Sequence, residues 1–207
     1  MRLTDNKIEY DSCILYQVAR FNTITCREEL GGYIEKKLFK QLDPNSWIGA
    51  NSYVYRCPLL KGKFIIKNNS KIVDSVLNGK FFIRDNVIIS GCNIRTRYYN
   101  CVIDTGAHIF NKTFVATGTY DAKLFDDEYF EYKCYGVVDL IMTKHYCKVF
   151  CLTMTYLEAW KYLHDDEIFA ELQKKYQSTS PMQLFLPETK QWLLEQCVIG
   201  INKLRQG

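Results

Sequence analysis

Trp47-Ile48-Gly49-Ala50-Asn51-Ser52-Tyr53-Val54, Phe64-Ile65-Ile66-Lys67-Asn68-Asn69-Ser70-Lys71-Ile72 and Phe81-Phe82-Ile83-Arg84-Asp85-Asn86-Val87-Ile88-Ile89 state nearly the same pattern three times. Each copy places an aliphatic residue, then Asn three positions on, then a second aliphatic three beyond: Ile48/Asn51/Val54, Ile66/Asn69/Ile72 and Ile83/Asn86/Ile89. Successive copies are 18 and then 17 residues apart, the length of one triangular coil built from hexapeptide-like sides. A unit this short cannot enclose a core alone, so each coil must bury its apolar face against its neighbours. The period therefore predicts a short β-helix.

Within the coils Ile66, Ile72, Ile83 and Ile89 are expected to point inward, with Lys67, Lys71, Arg84 and Asp85 facing water. Asn51, Asn69 and Asn86 suit coil corners, because Asn tolerates left-handed backbone and bonds locally. Stacked in register, they are also placed to bond to one another. Gly62 and Gly79 precede the second and third copies at matching places, a further corner signal.

Working outward, residues 1–43 read as a strand lead-in. Ile14 to Val18 and Phe21 to Ile24 are strand-like, and Leu30-Gly31-Gly32-Tyr33-Ile34-Glu35 follows. The adjacent Gly31 and Gly32 permit a positive φ or a close backbone approach at the entry to the first coil. A phosphate loop would need further glycines and a Lys-Ser/Thr helix start, which are absent. After Ile94 the regularity fades, and Cys101 to Ile103 with His108 to Phe110 suggest one less regular coil. From Thr113 the expectation is antiparallel strands, connected by Asp121 to Glu128 and by Thr143-Lys144-His145. Thr155 with Glu158 starts a capped helix whose stripe is Leu157, Trp160, Leu163, Ile168 and Leu172, ending near Tyr176. Ser178 to Pro181 is a loop, and Pro187 opens a last helix with Trp192, Leu193, Cys197, Val198, Ile201 and Leu204 on its apolar side. The fold class is mostly β: a lead-in (1–43), β-helix coils (44–112), then antiparallel strands and two C-terminal helices (113–207). Those helices, or the strands before them, are candidates to cap the open end or to form a homo-oligomer contact.

The composition, 47% hydrophobic and 14% aromatic over 207 residues, belongs to a folded chain. A net charge of +4 without a dense basic run gives no claim on nucleic acid. Lys144, His145 and Lys148 read as a solvated turn. Nine cysteines occur without a CxxC pair, so no metal site is expected, and no cofactor motif accompanies the repeats. The polar start and the lack of an 18-residue apolar run give no membrane span. Reduced thiols in a cytoplasmic protein are the simplest reading.

Among candidate sites, His108 lies at a coil junction where hexapeptide-repeat acyltransferases place their general base, and Asp104 could orient its ring. Tyr98 and Tyr99 are candidates for a binding surface. Cys147 and Cys151 beside His145 could form a redox or metal pair, although strand alternation makes both ordinary small hydrophobes. Asp126, Asp127 and Glu128 lack the ligand spacing of a calcium loop and read as an exposed turn.

Leu30-Gly31-Gly32-Tyr33-Ile34-Glu35, followed by Trp47-Ile48 opening the first coil, resembles a family of phage and prophage β-helix repeat proteins, mostly without an assigned function. The likeness runs over residues 14 to 94, although this chain has only about three regular coils and departs from alanine-rich repeats. The resemblance implies a small virus-associated protein in a bacterial host cell, and it carries over no catalytic residue. It also implies a non-enzymatic accessory role, binding a host protein or a small molecule, including in counter-defence. The alternatives are an acyltransferase using His108 and a virion structural or assembly protein.

Overall fold

A computed structural model describes residues 1–126, 129–135, 138–149, 152–170 and 187–206, the side chains of 97–99, 117 and 206 excepted. The protein is mostly β, with a solenoid of about five turns, a small antiparallel sheet and a C-terminal helix. Two compact units divide it, Met1–Asp126 and Asp127–Gly207.

The first unit begins with β1 (Arg2–Tyr10), β2 (Cys13–Asn22) and β3 (Arg27–Glu35), an antiparallel lead-in, and a short α1 (Lys36–Phe39). Coils follow as β4 (Trp47–Ile48), β5 (Tyr53–Tyr55), β6 (Leu59–Ile66), β7 (Lys71–Val73), β8 (Val76–Ile83), β9 (Ile88–Ser90), β10 (Asn93–Ile103), β11 (His108–Phe110) and β12 (Thr113–Tyr120). One sheet runs β1-β2-β3-β5-β7-β9-β11 and the other β12-β10-β8-β6-β4, parallel throughout the coils. Register is kept by stacking like on like: Ile48, Ile66, Ile83 and Ile103 are fully buried in one column, Val54, Ile72, Ile89 and Ile109 in another. Each such side chain contributes roughly 1.5–3 kcal/mol on burial, so the columns supply the main driving force.

Three corners turn each coil, and each uses left-handed backbone. Asn51, Asn69 and Asn86 (φ 57, 57 and 59°) occupy one, and Asn51 Nδ2 donates to Asn69 Oδ1 at 3.3 Å. Arg56, Asp74, Gly91 and Asn111 occupy the second, all with positive φ. The third holds Gly62 and Gly79 (φ +123 and +134°), which lie directly opposite each other. Corner amides that strand pairing leaves free are taken by buried hydroxyls. Ser70 N donates to Ser52 Oγ (3.0 Å), Val87 N to Ser70 Oγ (3.2 Å) and Cys92 N to Ser75 Oγ (3.1 Å), which removes the cost of buried unpaired donors.

Thr113 to Val115 departs from the antiparallel expectation: β12 pairs parallel with β10 and completes another coil. Its pattern was obscured by an insertion in the coil before it. Between Arg95↔Asn78 and Cys101↔Phe81 the separation grows from 17 to 20 residues, so three extra residues leave the third corner. The ends of this unit are closed locally. At the start Leu38 is fully buried, and Gln41 Oε1 accepts the Leu60 amide at 3.1 Å. At the finish a 3-10 turn (Ala122–Leu124) buries Leu124, and Phe125 packs on Phe114 and Tyr120 with ring centroids 6.2 and 6.3 Å away.

The second unit is an antiparallel meander, β13 (Phe130–Tyr135), β14 (Val138–Thr143), β15 (Tyr146–Val149) and β16 (Leu152–Thr155), followed by α2 (Tyr156–His164) and α3 (Pro187–Gln206). Its core joins Leu140, Met142 and Cys147 of the sheet to Tyr156, Leu163 and Leu193 of the helices. Lys148 is not part of a solvated turn but buried on β15, opposite Ile141 and Thr153.

The coil account is tested at two glycines. A Cβ at Gly62 would lie 1.9 Å from the Gly79 carbonyl oxygen, whereas one at Gly106 (φ +76°) meets nothing within 4 Å. Gly106→Ala is expected to cost about 1–2 kcal/mol from backbone strain alone. Gly62→Ala should cost clearly more in urea denaturation, and equal losses would contradict the close rung contact.

Candidate functional site

Among the described residues, an exposed apolar surface with open depressions lies on the helices of the second unit. Thr155 starts α2 with a complete capping box: Glu158 N donates to Thr155 Oγ1, and Thr155 N donates to Glu158 Oε2. The inner face of α2 is Tyr156, Ala159 and Leu163. α3 answers with Leu193, Cys197 and Gly200, and a Cβ on Gly200 would meet the Tyr156 ring at 2.3–2.6 Å. Gly200 thus sets how closely the two helices approach.

This choice of inner face reverses part of the expected stripe. Leu157 and Trp160 are 57% and 37% exposed, and Val198 and Leu204 on α3 are 45% and 38% exposed. The stripe is also interrupted at Asp165. Its amide donates to the Lys161 carbonyl while its backbone leaves the helical region (ψ 107°), ending α2. Its carboxylate then accepts from Glu167 N and Ile168 N, capping a second helical stretch over 166–170. The stripe is therefore rotated after the roughly two and a half turns of α2, and Phe169 is buried beyond the break. Leu172, Tyr176 and the loop at 178–181 lie outside the described residues.

On the outer side, the Trp160 and His164 rings lie with centroids 4.0 Å apart, tilted by 32°, and His164 Nδ1 donates to the Trp160 carbonyl at 3.0 Å. Two open depressions share this pair. One of about 480 Å³ is lined further by Gln191, Leu194, Val198 and Ile199, and one of about 550 Å³ by Lys161, Tyr162 and Ile168. They present an aromatic centre, aliphatic walls and a polar rim.

The sequence candidates are dispersed. His108 is exposed on β11, its ring near Phe110 at 6.3 Å. Asp104 does not orient it: Asp104 Oδ1 accepts from Arg84 Nη1 (3.1 Å) and from Thr105 N (2.9 Å). Tyr98 and Tyr99 sit on the extruded part of β10, and their side chains lie outside the described residues, as do Cys151, Asp127 and Glu128. Gly31 and Gly32 serve close approach, since a Cβ would meet Ile48 O at 2.2 Å and Ser52 O at 2.3 Å respectively. Asn51, Asn69 and Asn86 are corner residues.

Sequence spacing gave no sign of the contact between Cys147 on β15 and Cys197 on α3. Their thiols are hydrogen-bonded, and that bond together with burial pushes the Cys147 thiol well above its usual range. The same bond lowers the pKa of the Cys197 thiol, which is buried against α2 and the sheet. Among the described residues no three His, Cys, Asp or Glu side chains converge to hold a metal ion, and no helix is long and apolar enough to cross a membrane.

No family model, curated protein or solved structure matches this chain.

Gly200→Ala tests how the helices are set. Replacing a helical Gly by Ala gains about 1 kcal/mol in propensity. The Tyr156 ring cannot swing aside, because its hydroxyl donates to the Thr143 carbonyl. A net loss of about 1–3 kcal/mol is expected from overpacking, read by chemical denaturation; a gain in stability would show that the helices are free to separate.

Proposed function

We propose that the protein is a non-enzymatic binding protein, a phage-type accessory factor of the bacterial cytoplasm that docks on a host protein. The observation that carries this reading is the outward apolar face around Trp160, with Leu157, Val198 and Ile199 exposed by 57, 45 and 39%. Both helices already bury an inner face, so these residues are not required for the core of their own unit. Contiguous exposed apolar surface rimmed by polar groups marks an interaction site, and a central Trp is the residue type most often found at an energetic hot spot. The depressions are open and shallow, which suits a polypeptide better than an enclosed small molecule. The phage context rests on the Leu30 to Glu35 segment and its spacing to Trp47.

The test compares the full chain with Trp160→Ser/Val198→Asp as bait in bacterial lysate, with matched thermal denaturation and light scattering of both. Wild type should retain a specific host protein that the variant loses at unchanged thermal stability. Retention of the same protein by both, or of none by wild type, would overturn the reading. A wild-type dimer that the substitutions dissociate would assign the face to a second copy of the chain.

A further inference from the structure

The small net charge hides an uneven distribution. Met1–Asp126 carries eighteen basic and twelve acidic residues, a net of +6, and the second unit is correspondingly acidic. Within the first unit most charges at the corners are neutralised: Arg56 pairs with Asp74 and Asp11, Arg84 with Asp104, Lys37 with Glu35. The Gly62/Gly79 corner is the exception. Lys61, Lys63, Lys80 and Arg95 are all exposed there, and among the described residues none has a carboxylate within ion-pair distance. Lys63 and Lys80 lie directly opposite each other on β6 and β8, and Lys61 and Arg95 flank Asn78 in the same register. Like charges facing across neighbouring strands, roughly 4.8 Å apart, weaken a sheet. This stripe therefore works against the fold that displays it, the mark of a surface kept for a ligand.

Beside the stripe runs a second column. Two residues along each strand, Ile65 and Phe82 face outward in register with each other, continued by Trp47 on one side and Val102 on the other. All four are partly buried, with a remaining face open to solvent. Lys67 sits over the Phe82 ring at 5.7 Å and Arg20 over Trp47 at 4.2 Å, so cations border the apolar column on its far side as well.

We infer that this side of the solenoid binds single-stranded nucleic acid, phosphates along the Lys63–Lys80 stripe and unpaired bases against the Ile65–Phe82 column. A cationic track beside an aromatic platform is the arrangement that holds single strands without reading sequence. A duplex keeps its bases stacked inside and would leave the apolar column uncovered. A purely acidic polypeptide such as poly-glutamate would use the stripe and have no ring for the column.

Fluorescence anisotropy of a labelled oligo(dT) of about 20 nucleotides with the full chain tests this. Affinity should fall steeply between about 50 and about 200 mM salt, with a log–log slope near −3 for about four phosphate contacts. Lys63→Glu/Lys80→Glu should weaken binding at least about tenfold and flatten the slope. The variant exchanges one facing like-charged pair for another, with Lys61 and Arg95 beside it as new partners, so the fold is expected to hold, checked by thermal denaturation. Phe82→Leu should weaken binding while leaving the slope unchanged, and Lys7→Glu, an exposed residue on β1 away from the stripe, should change neither. Absence of binding at low salt, loss by Lys7→Glu equal to that of the double variant, or equally tight binding of poly-glutamate would each overturn the assignment.

Discussion

Hydrogen bonding between successive coils, in register and parallel, is the constraint on which the solenoid depends. Each coil offers its neighbour a full edge of amides and carbonyls, and the pairing is closed only if every side of every coil repeats at the same height. Three residues per coil must then adopt backbone that most side chains resist, which is why Asn, Gly or Asp stands at nearly every corner. The hydroxyls of Ser52, Ser70 and Ser75 complete the same task where the chain turns and no strand partner exists. Apolar columns make the stack favourable, and the polar ladder makes it specific.

From that constraint follows what the surface can do. Side chains that point outward are also placed in columns, so one type of residue repeated per coil becomes a line on the surface. The cationic line at the glycine corner and the apolar line next to it are consequences of register, not of local folding. The second unit obeys a different economy: four short strands cannot cover themselves, and two helices supply the missing layer. The helices carry more apolar positions than the inner face of Tyr156, Ala159, Leu163, Leu193 and Cys197 consumes. The surplus is the Trp160 face.

The coil architecture was legible because its signal is periodic and local. Ile66, Ile72, Ile83 and Ile89 are fully buried, as the Asn-centred spacing implied. The last coil was missed because three inserted residues shifted its period, although Phe114 and Ala116 still fill the interior positions. The helix stripe failed where a cap residue competed with helix continuation, a contest that hydrophobic spacing cannot see. Cys147 and Cys197 meet across fifty positions, and Asp104 turned to Arg84 and not to His108; both pairings are set by tertiary register. Net charge was silent on this distribution, since a sum over the chain erases a stripe on one side.

The central claim, that a register-locked rung ladder carries the first unit, is tested most directly by residue-resolved hydrogen exchange on the intact chain. The amides of Phe64, Ser70, Val87 and Cys92, each donated to a buried serine hydroxyl at a coil corner, are expected to be protected as strongly as the strand amides around them. Fast exchange at these four positions beside slow strands would mean that the corners are open to water and the coils are not locked. Fast exchange throughout 59–94 would contradict the solenoid itself.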